Sequence, residues 1–362
     1  MTQLRPPGST DTKIRWSAIA LFVGIPWFLG LAHWLVRPPP PGEVSIKLKL
    51  LAQRGPVDTF VIGESRSLRL GGEPFSRRGW RHFNLALSGL SPEHSALQLV
   101  YALEHHKVRR VIMGVSFENM AQTASFASSQ HSWHPAFAAL SLEPYGGAVA
   151  PANPDVWEPH DLLPVGRAAS TARYYLLVLS GVAYAPRPFL NDGRAAYVRI
   201  QQQFDSATFD SVRNRDPKKY FRCCRGNNPE RYLQQRVISK DAQHLYSGLF
   251  RALRRSKIPC IVFETGRTHQ FQKLIDEEPV LSRLQKEWRS FYRSESRGSV
   301  KFLPIEHLGR WYDQNDFFDA VHTLGETPRR LSEKLATELE TLEATVSSQK
   351  KEPTVSSQKE PI

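Results

Sequence analysis

A serine near the start of the chain and an Asp–His pair near its end have the residue types of a hydrolytic site. Ser65 follows the apolar run Val57–Ile62, and Asp319 stands three residues before His322, just ahead of the helix pattern that Thr327-Pro328 opens. A serine hydroxyl becomes nucleophilic at neutral pH when an imidazole accepts its proton, and a carboxylate can orient that imidazole. The pattern predicts acyl transfer at a serine, with Ser65 as nucleophile, His322 as base and Asp319 as orienting acid.

Each half of this pattern also has a plainer interpretation. Gly-x-Ser occurs by chance in many proteins, and Ser65 alone would serve equally well as a helix cap. Asp319 and His322 taken alone indicate a catalytic role no more strongly than any other Asp and His three residues apart. Their joint occurrence in this chain order favours catalysis. The neighbouring Arg66 is expected to bind a substrate carboxylate or phosphate, with a structural salt bridge as the alternative.

The elements around these residues alternate between strands and helices. Apolar runs predict strands over 57–62, 108–115, 258–264 and 302–305, and periodic patterns predict helices over 91–106, 240–256 and 327–344. This alternation is typical of a mainly parallel sheet with helices on both faces, a three-layer α/β/α sandwich. Ligands bind beyond the carboxyl ends of such strands, which is where Ser65 falls. We expect its N–H to lie beside the positive end of the next helix.

The motifs together resemble the SGNH/GDSL hydrolases, and among them the membrane-anchored envelope branch that includes DltD-like proteins and the alginate O-acetylation proteins. The matching stretches are VIGESRS at 61–67, FNLALSGLSP at 83–92, RRVIMGVSFEN at 109–119 and FFDAVHTLGETP at 317–328. The resemblance implies a flavodoxin-like sheet and serine catalysis without cofactor or metal. It also implies an envelope glycan or a small acylated substrate, and a membrane-bound O-acyltransferase as partner.

The same resemblance implies an oxyanion hole built from three groups. These are the N–H of Ser65, the N–H of Gly89 and the side chain of Asn119. Glu64 stands where the family usually has Asp, and the third block reads SFEN rather than a clear GxND. Asn84 lies in the second block. The alternative to a role in the site is that Asn84 is structural and caps the loop after its strand.

An apolar stretch over residues 16–36 contains no Asp, Glu, Lys or Arg. At 1.5 Å per residue it is about 30 Å long, which matches the hydrocarbon thickness of a bilayer. It predicts one transmembrane helix, with a cleaved signal peptide as the competing interpretation. Lys13 and Arg15 before it favour a cytoplasmic N-terminus and an extracytoplasmic, periplasmic domain held at the inner membrane.

The predicted organisation follows from these elements. Residues 1–15 are cytoplasmic, 37–56 are a linker that includes the stiff Pro38–Pro41 run, and 57–340 form the α/β domain. Residues 121–235 interrupt the alternation and are expected to form an inserted cap. The tail over 345–362 repeats TVSSQK and is expected to be disordered, because it has almost nothing apolar to bury.

Charge and cysteine content narrow the function classes. A net charge of +13 suits an anionic partner. No zinc-finger or RNA-binding signature is present, so nucleic acid is not an expected partner. The chain has three cysteines, Cys223, Cys224 and Cys260. Either all three are free, or Cys260 forms a disulfide with one of the other two. Two rival functions remain: a non-catalytic membrane-tethered binding protein on the same fold, and a lipid-directed esterase.

Overall fold

The computed structural model describes residues 43–87, 92–122, 135–138, 140–147, 189–195, 237–308, 317, 323 and 326–348. Its helices are α1 (Glu43–Arg54), α2 (Glu73–Ser76), α3 (Pro92–His105), α4 (Phe117–Met120), α5 (Pro135–Ala138), α6 (Lys240–Arg255), α7 (His269–Glu277), α8 (Pro279–Glu295) and α9 (Thr327–Ser348). Its strands are β1 (Thr59–Gly63), β2 (His82–Asn84), β3 (Arg110–Val115), β4 (Ala121–Gln122), β5 (Val237–Ile238), β6 (Cys260–Glu264) and β7 (Val300–Leu303).

Five strands form one parallel sheet in the order β2-β1-β3-β6-β7. The predicted α/β class with a mainly parallel sheet is therefore confirmed. The chain runs from β1 outward to β2, then returns to the other side of β1 with β3. This reversal between β1 and β3 is the topological switch point, where open α/β sheets bind their ligands.

Alternate residues of the central strands enter two different apolar clusters. Phe60 and Ile62 of β1 pack in one cluster with α3, α6 and α8, whereas Val61 packs in the other with α9. Since successive strand side chains point to opposite faces, the two clusters lie on the two faces of the sheet. Helices therefore cover both faces, and the near-continuous apolar strands follow from this double burial.

The linker predicted over residues 37–56 is shorter than expected, because α1 occupies Glu43–Arg54. This helix is anchored by two buried side chains, Lys47 and Leu51. At the other end of the domain, α9 continues to Ser348, so the first four residues of the tail predicted as disordered are helical. Val346 explains the extension, since it is buried in the same cluster as the preceding apolar residues of α9.

The two ends of the predicted insertion meet. β4 pairs antiparallel with β5, which joins residues 121–122 to residues 237–238. Phe137 and Leu142, from within the insertion, are buried in the apolar cluster that also contains α6. The described parts of the insertion thus contribute to the core of the domain instead of lying only over it.

No helix within the described residues is both long and apolar enough to cross a bilayer. The predicted membrane segment over residues 16–36 lies outside the described residues, as do Cys223, Cys224 and the tail beyond Ser348. Cys260 is a free, buried thiol in β6.

Candidate functional site

Ser65 stands two residues beyond the carboxyl end of β1, at the switch point of the sheet. It opens a single 3-10 turn, Ser65–Ser67, in which Ser65 is half-buried while Arg66 and Ser67 are buried. We expected the N–H of Ser65 to lie beside the positive end of the next helix, but the chain makes this turn first and the next helix begins only at Glu73. The helix that follows Ser65 in sequence therefore begins too far along the chain for its dipole to act directly on the serine.

Gly63 sets the direction in which the chain leaves β1. Its φ is +133°, a conformation that side chains rarely adopt, and a Cβ at this position would lie 2.5 Å from the carbonyl oxygen of Gly114. Its N–H donates to Oε1 of Gln98 on α3 at 3.0 Å. The close approach of β1 and β3 and the helix above them thus fix the position of the serine turn.

Arg66 lies inside the protein rather than in an open site. Its Nε is 3.5 Å from Oε1 of Glu64, and the exposed fractions of the two side chains are 4% and 8%. Arg66 Nη1 also donates to Oγ1 of Thr265 at 3.3 Å, and that hydroxyl lies 3.3 Å from Glu64 Oε1. The structure therefore favours the salt-bridge alternative for Arg66, and it assigns Glu64 a structural partner.

A second buried ionic group is centred on the last residue of β6. Glu264 is fully buried and contacts Arg267 and Arg289, with Arg289 Nε donating to Glu264 Oε2 at 2.9 Å. Gln285 donates to the other carboxylate oxygen at 3.1 Å. Two cations on one buried carboxylate compensate the cost of removing it from water. This group fixes α8 against the carboxyl end of β6.

The loop after β2 is held by a buried lysine from α1. Lys47 is 1% exposed, and its Nζ donates to the carbonyl oxygens of Asn84, at 2.9 Å, and Ala86. The Asn84 side chain donates to the carbonyl oxygens of Ser67 and Leu70 at 2.7 and 2.9 Å. Asn84 thus has the structural role given above as its alternative, since it ties the loop after β2 to the serine turn.

A short segment of the insertion, Phe189–Ala195, packs beside the same turn. Its ends form an antiparallel bridge, the N–H of Ala195 donates to Leu68 O at 2.9 Å, and the N–H of Asn84 donates to Asp192 O at 2.9 Å. We call residues 189–195 the strap. It connects the insertion to both loops that follow β1 and β2.

Asp192 is the acidic residue of the strap, and Arg194 is its basic residue. Its Oδ2 lies 2.6 Å from Arg194 Nε and 3.1 Å from His82 Nε2. Burial alone would raise the pKa of Asp192, but the hydrogen bond with His82 and the charge of Arg194 outweigh it and lower that pKa from 3.8 to about 2. The carboxylate is therefore ionised at every ordinary pH and holds the strap to β2.

Near the end of the chain, Phe317 and Thr323 form an antiparallel bridge. Both are buried, and both lie against Gly266, two residues beyond β6. Arg69 Nη1, in the turn after Ser65, donates to the carbonyl oxygen of Thr323 at 2.7 Å. Asp319 and His322 lie outside the described residues, but the bridge that flanks them is placed at the carboxyl edge of the sheet, beside the serine turn.

The predicted oxyanion groups are located only in part. Gly89 lies outside the described residues. Asn119 lies in α4, directly beyond β3, with its side chain outside the described part of the chain. Sequence reasoning missed Ser116, whose buried hydroxyl has no hydrogen-bond partner within the described residues. Its position at the carboxyl end of β3, inside the SFEN block, was the available signal.

Ser116 lines a small cavity with Glu64, Ser95, Tyr246 and Tyr292. The cavity has a volume of about 10 Å³, which is room for a single water molecule. Tyr246 closes one side, its hydroxyl donating to Pro92 O at 3.0 Å, and burial raises its pKa. Within the described residues, no group of three or more His, Cys, Asp and Glu side chains is arranged to hold a metal ion.

Comparison with known proteins leaves the chain without a family assignment. No family model matches it, and neither does any curated protein. Solved structures that match it include a chain described provisionally as a platelet activating factor from Streptococcus pneumonia, at 8% identity and a TM-score of 0.37 over 85% of this chain and 96% of that one. Similarity at this level does not establish a shared fold or activity.

Proposed function

We propose that this protein is an SGNH-type serine esterase or acyltransferase acting on acyl esters, chiefly O-acetyl esters, of a cell-envelope glycan. Ser65 is the nucleophile, His322 the general base and Asp319 the acid that orients it. Residues 16–36 anchor the chain in the inner membrane with the catalytic domain outside the cytoplasm. A membrane-bound O-acyltransferase is the partner that supplies the acyl group if the reaction is transfer.

The observation that carries the proposal is the hydrogen bond between Arg69 and Thr323. It ties the turn that presents Ser65 to the residue that follows His322, across 254 positions of sequence. Ser65 is half-buried beside buried neighbours, and it lies at the switch point of a parallel sheet. A nucleophile needs its base within hydrogen-bond reach, and this tie supports that arrangement.

The proposed reaction has two steps. Ser65 Oγ attacks the ester carbonyl while His322 takes its proton, and the alcohol leaves with that proton to give an acyl-serine. Water or a glycan hydroxyl then attacks the acyl-serine, and Ser65 recovers its proton. Three groups stabilise the oxyanion: the backbone N–H of Ser65, the backbone N–H of Gly89 and the side chain of Asn119. Ser116 is a further candidate donor at the same edge.

Covalent labelling with a fluorophosphonate probe tests the proposal, because the probe reacts with activated serines only. We expect labelling of the full chain and its loss in Ser65→Ala. Ser67→Ala is the matched control, since the Ser67 hydroxyl is buried two residues away and makes no hydrogen bond within the described residues. Labelling that survives Ser65→Ala would place the reactive nucleophile at another residue and contradict the role of Ser65. Labelling that is absent from the wild type would support the non-catalytic binding protein instead.

A further inference from the structure

Five loops enter the strands of the sheet at the edge opposite Ser65; one of them, 77–81, leads into β2, and the other four are short and serve the remaining strands. Each of these four leads from a helix into a parallel strand and has four residues: 55–58, 106–109, 256–259 and 296–299. Backbone hydrogen bonds join neighbouring loops and strands, from Arg109 N to Asp58 O at 2.8 Å and from Cys260 N to Ser299 O at 2.7 Å. The loops therefore form one continuous surface, about 14 Å long for the three strand spacings it crosses.

This surface carries a concentration of unpaired positive charge, and we call it the basic edge. Its six cations are Arg54, Lys107, Arg109, Arg255, Lys257 and Arg297, of which Arg54 is half-buried and the others are exposed. None of them forms an ion pair with any described residue. The acids nearby are already paired, Asp58 with Arg81 and Arg110, and Glu295 with Arg254. Among the acidic residues that the structure describes near the basic edge, Glu104 at the end of α3 is exposed and forms no ion pair.

Lys257 occupies a position that favours glycine. Its φ is +52°, the left-handed conformation that normally follows a helix C-cap and that glycine adopts without strain. Lys257 is the only non-glycine residue with positive φ in the described part of the chain. Backbone strain of this kind points to a role for the side chain. Since the lysine is exposed, its ammonium group is accessible to a partner at the basic edge.

The chemistry of the basic edge selects its partner. None of these four loops contains Phe, Tyr or Trp, and Trp80, in the loop before β2, is buried. The surface therefore offers no exposed aromatic platform for stacking nucleic-acid bases. The large hydrophobic side chains exposed in the described residues are Leu190 and Val237, neither of which lies in these loops. Nothing at the basic edge is therefore suited to enter a bilayer. The four arginines of the basic edge suit the planar carboxylates of a linear polymer.

We propose that the basic edge binds a linear acidic polysaccharide, at a surface separated from Ser65 by the length of the strands. Strand β1 spans about 17 Å, so one long polymer can contact both edges of the domain while a short ester contacts only the Ser65 edge. The identification of this polymer with the envelope glycan rests on the proposed function. Binding itself depends only on the charges of the basic edge.

Affinity for polygalacturonate, measured on the full chain in detergent at low salt, tests this proposal. We expect Arg109→Gln combined with Arg297→Gln to weaken binding at least tenfold and to flatten its salt dependence. Lys240→Gln combined with Lys286→Gln removes the same charge from exposed positions on α6 and α8 and should change affinity less than twofold. Equal loss in both double variants would overturn the proposal, as would no binding by the wild type.

The variant Lys257→Gly distinguishes an effect on polymer binding from an effect on stability. We expect the variant to melt at the same or a higher temperature, because glycine relieves the strain, and to bind polygalacturonate several-fold more weakly. Unchanged affinity would show that Lys257 does not contact the polymer. Tighter binding of the wild type to phosphatidylglycerol vesicles or single-stranded DNA would replace the polysaccharide by a lipid surface or a nucleic acid and contradict the proposal.

The two proposals fail separately. Ser65→Ala should bind polygalacturonate as the wild type does, because the serine lies at the other edge. Normal binding together with absent serine labelling would remove the proposed function and leave the basic edge in place. Normal serine labelling together with no binding of polygalacturonate would remove the basic edge as a binding surface and leave the proposed function in place.

Discussion

Arg69 and Thr323 are joined by a hydrogen bond of 2.7 Å from the guanidinium to the main-chain carbonyl. Arg69 lies four residues after Ser65, and Thr323 directly follows His322. A cation that donates to a carbonyl oxygen forms a strong and directional bond. It therefore fixes Thr323, the residue directly after His322, relative to the serine turn.

Replacing Arg69 by Met should slow fluorophosphonate labelling of Ser65 about tenfold, because the segment that carries His322 loses this tie. Arg69→Lys keeps a donor and should recover most of the rate. Arg81→Met, which removes an exposed partner of Asp58, is the control and should label normally. If Arg69→Met and Arg69→Lys lose the same amount of activity, or none, the positioning role is wrong.

Gly63→Ala should destabilise the domain and displace the serine turn. The new Cβ would meet the Gly114 carbonyl oxygen at 2.5 Å, in addition to the strain of a positive φ. Gly55→Ala is the matched comparison, since its φ is +80° but no atom lies within 4 Å of the added Cβ. We expect about 1 kcal/mol of destabilisation for Gly55→Ala from strain alone. Chemical denaturation should show a clearly larger loss for Gly63→Ala, and equal losses would mean that the strands separate freely.

Lys47→Met should lower the free energy of unfolding by about 1–3 kcal/mol, because the buried carbonyl oxygens of Asn84 and Ala86 lose their charged donor. Lys49→Met, on the exposed side of the same helix, should leave the urea midpoint unchanged. The loop after β2 is also tied to the serine turn through Asn84, so Lys47→Met should reduce labelling of Ser65 as well. A variant as stable as the wild type would contradict the role given to Lys47.

The Asp192 carboxylate predicts an acid dependence of stability. Its folded pKa of about 2 lies below its ordinary value of 3.8, so the unfolded chain binds a proton more readily. Its contribution, about 2 kcal/mol, is therefore present above pH 3.8 and is lost as pH falls towards 2. The stability difference between wild type and Asp192→Asn, measured by urea unfolding, should shrink over this interval. A difference that stays constant would show that Asp192 does not hold the strap by its charge.

Much of the sheet could be predicted because the central strands are buried on both faces. The strands predicted over 57–62, 108–115 and 258–264 match β1, β3 and β6 to within two residues at each end. The edge strand β2 was missed, since His82–Asn84 is short and two of its three residues are polar. Helix α8 was missed although its signal was present: Leu281, Leu284, Trp288 and Tyr292 are buried at helical spacing.

The sequence predicted where Ser65 lies relative to the strands, but it did not predict which charged side chains are buried around it. Ser65 falls at the carboxyl end of β1, as its place after an apolar run indicated. The burial of Arg66 with Glu64, and of Lys47 against main-chain carbonyls, has no sequence signal, because arginine and lysine are normally exposed. Only tertiary contacts, formed between segments far apart in the chain, supply their partners.

The most direct measurement is mass-spectrometric mapping of the fluorophosphonate adduct on the full chain and on its His322→Gln variant. The account predicts a single adduct on the peptide that contains Ser65, formed by the wild type and at least a hundredfold more slowly by His322→Gln, because the base is essential for an activated serine. An adduct on another residue, or equal labelling of the two proteins, would contradict the central claim that Ser65 and His322 act together.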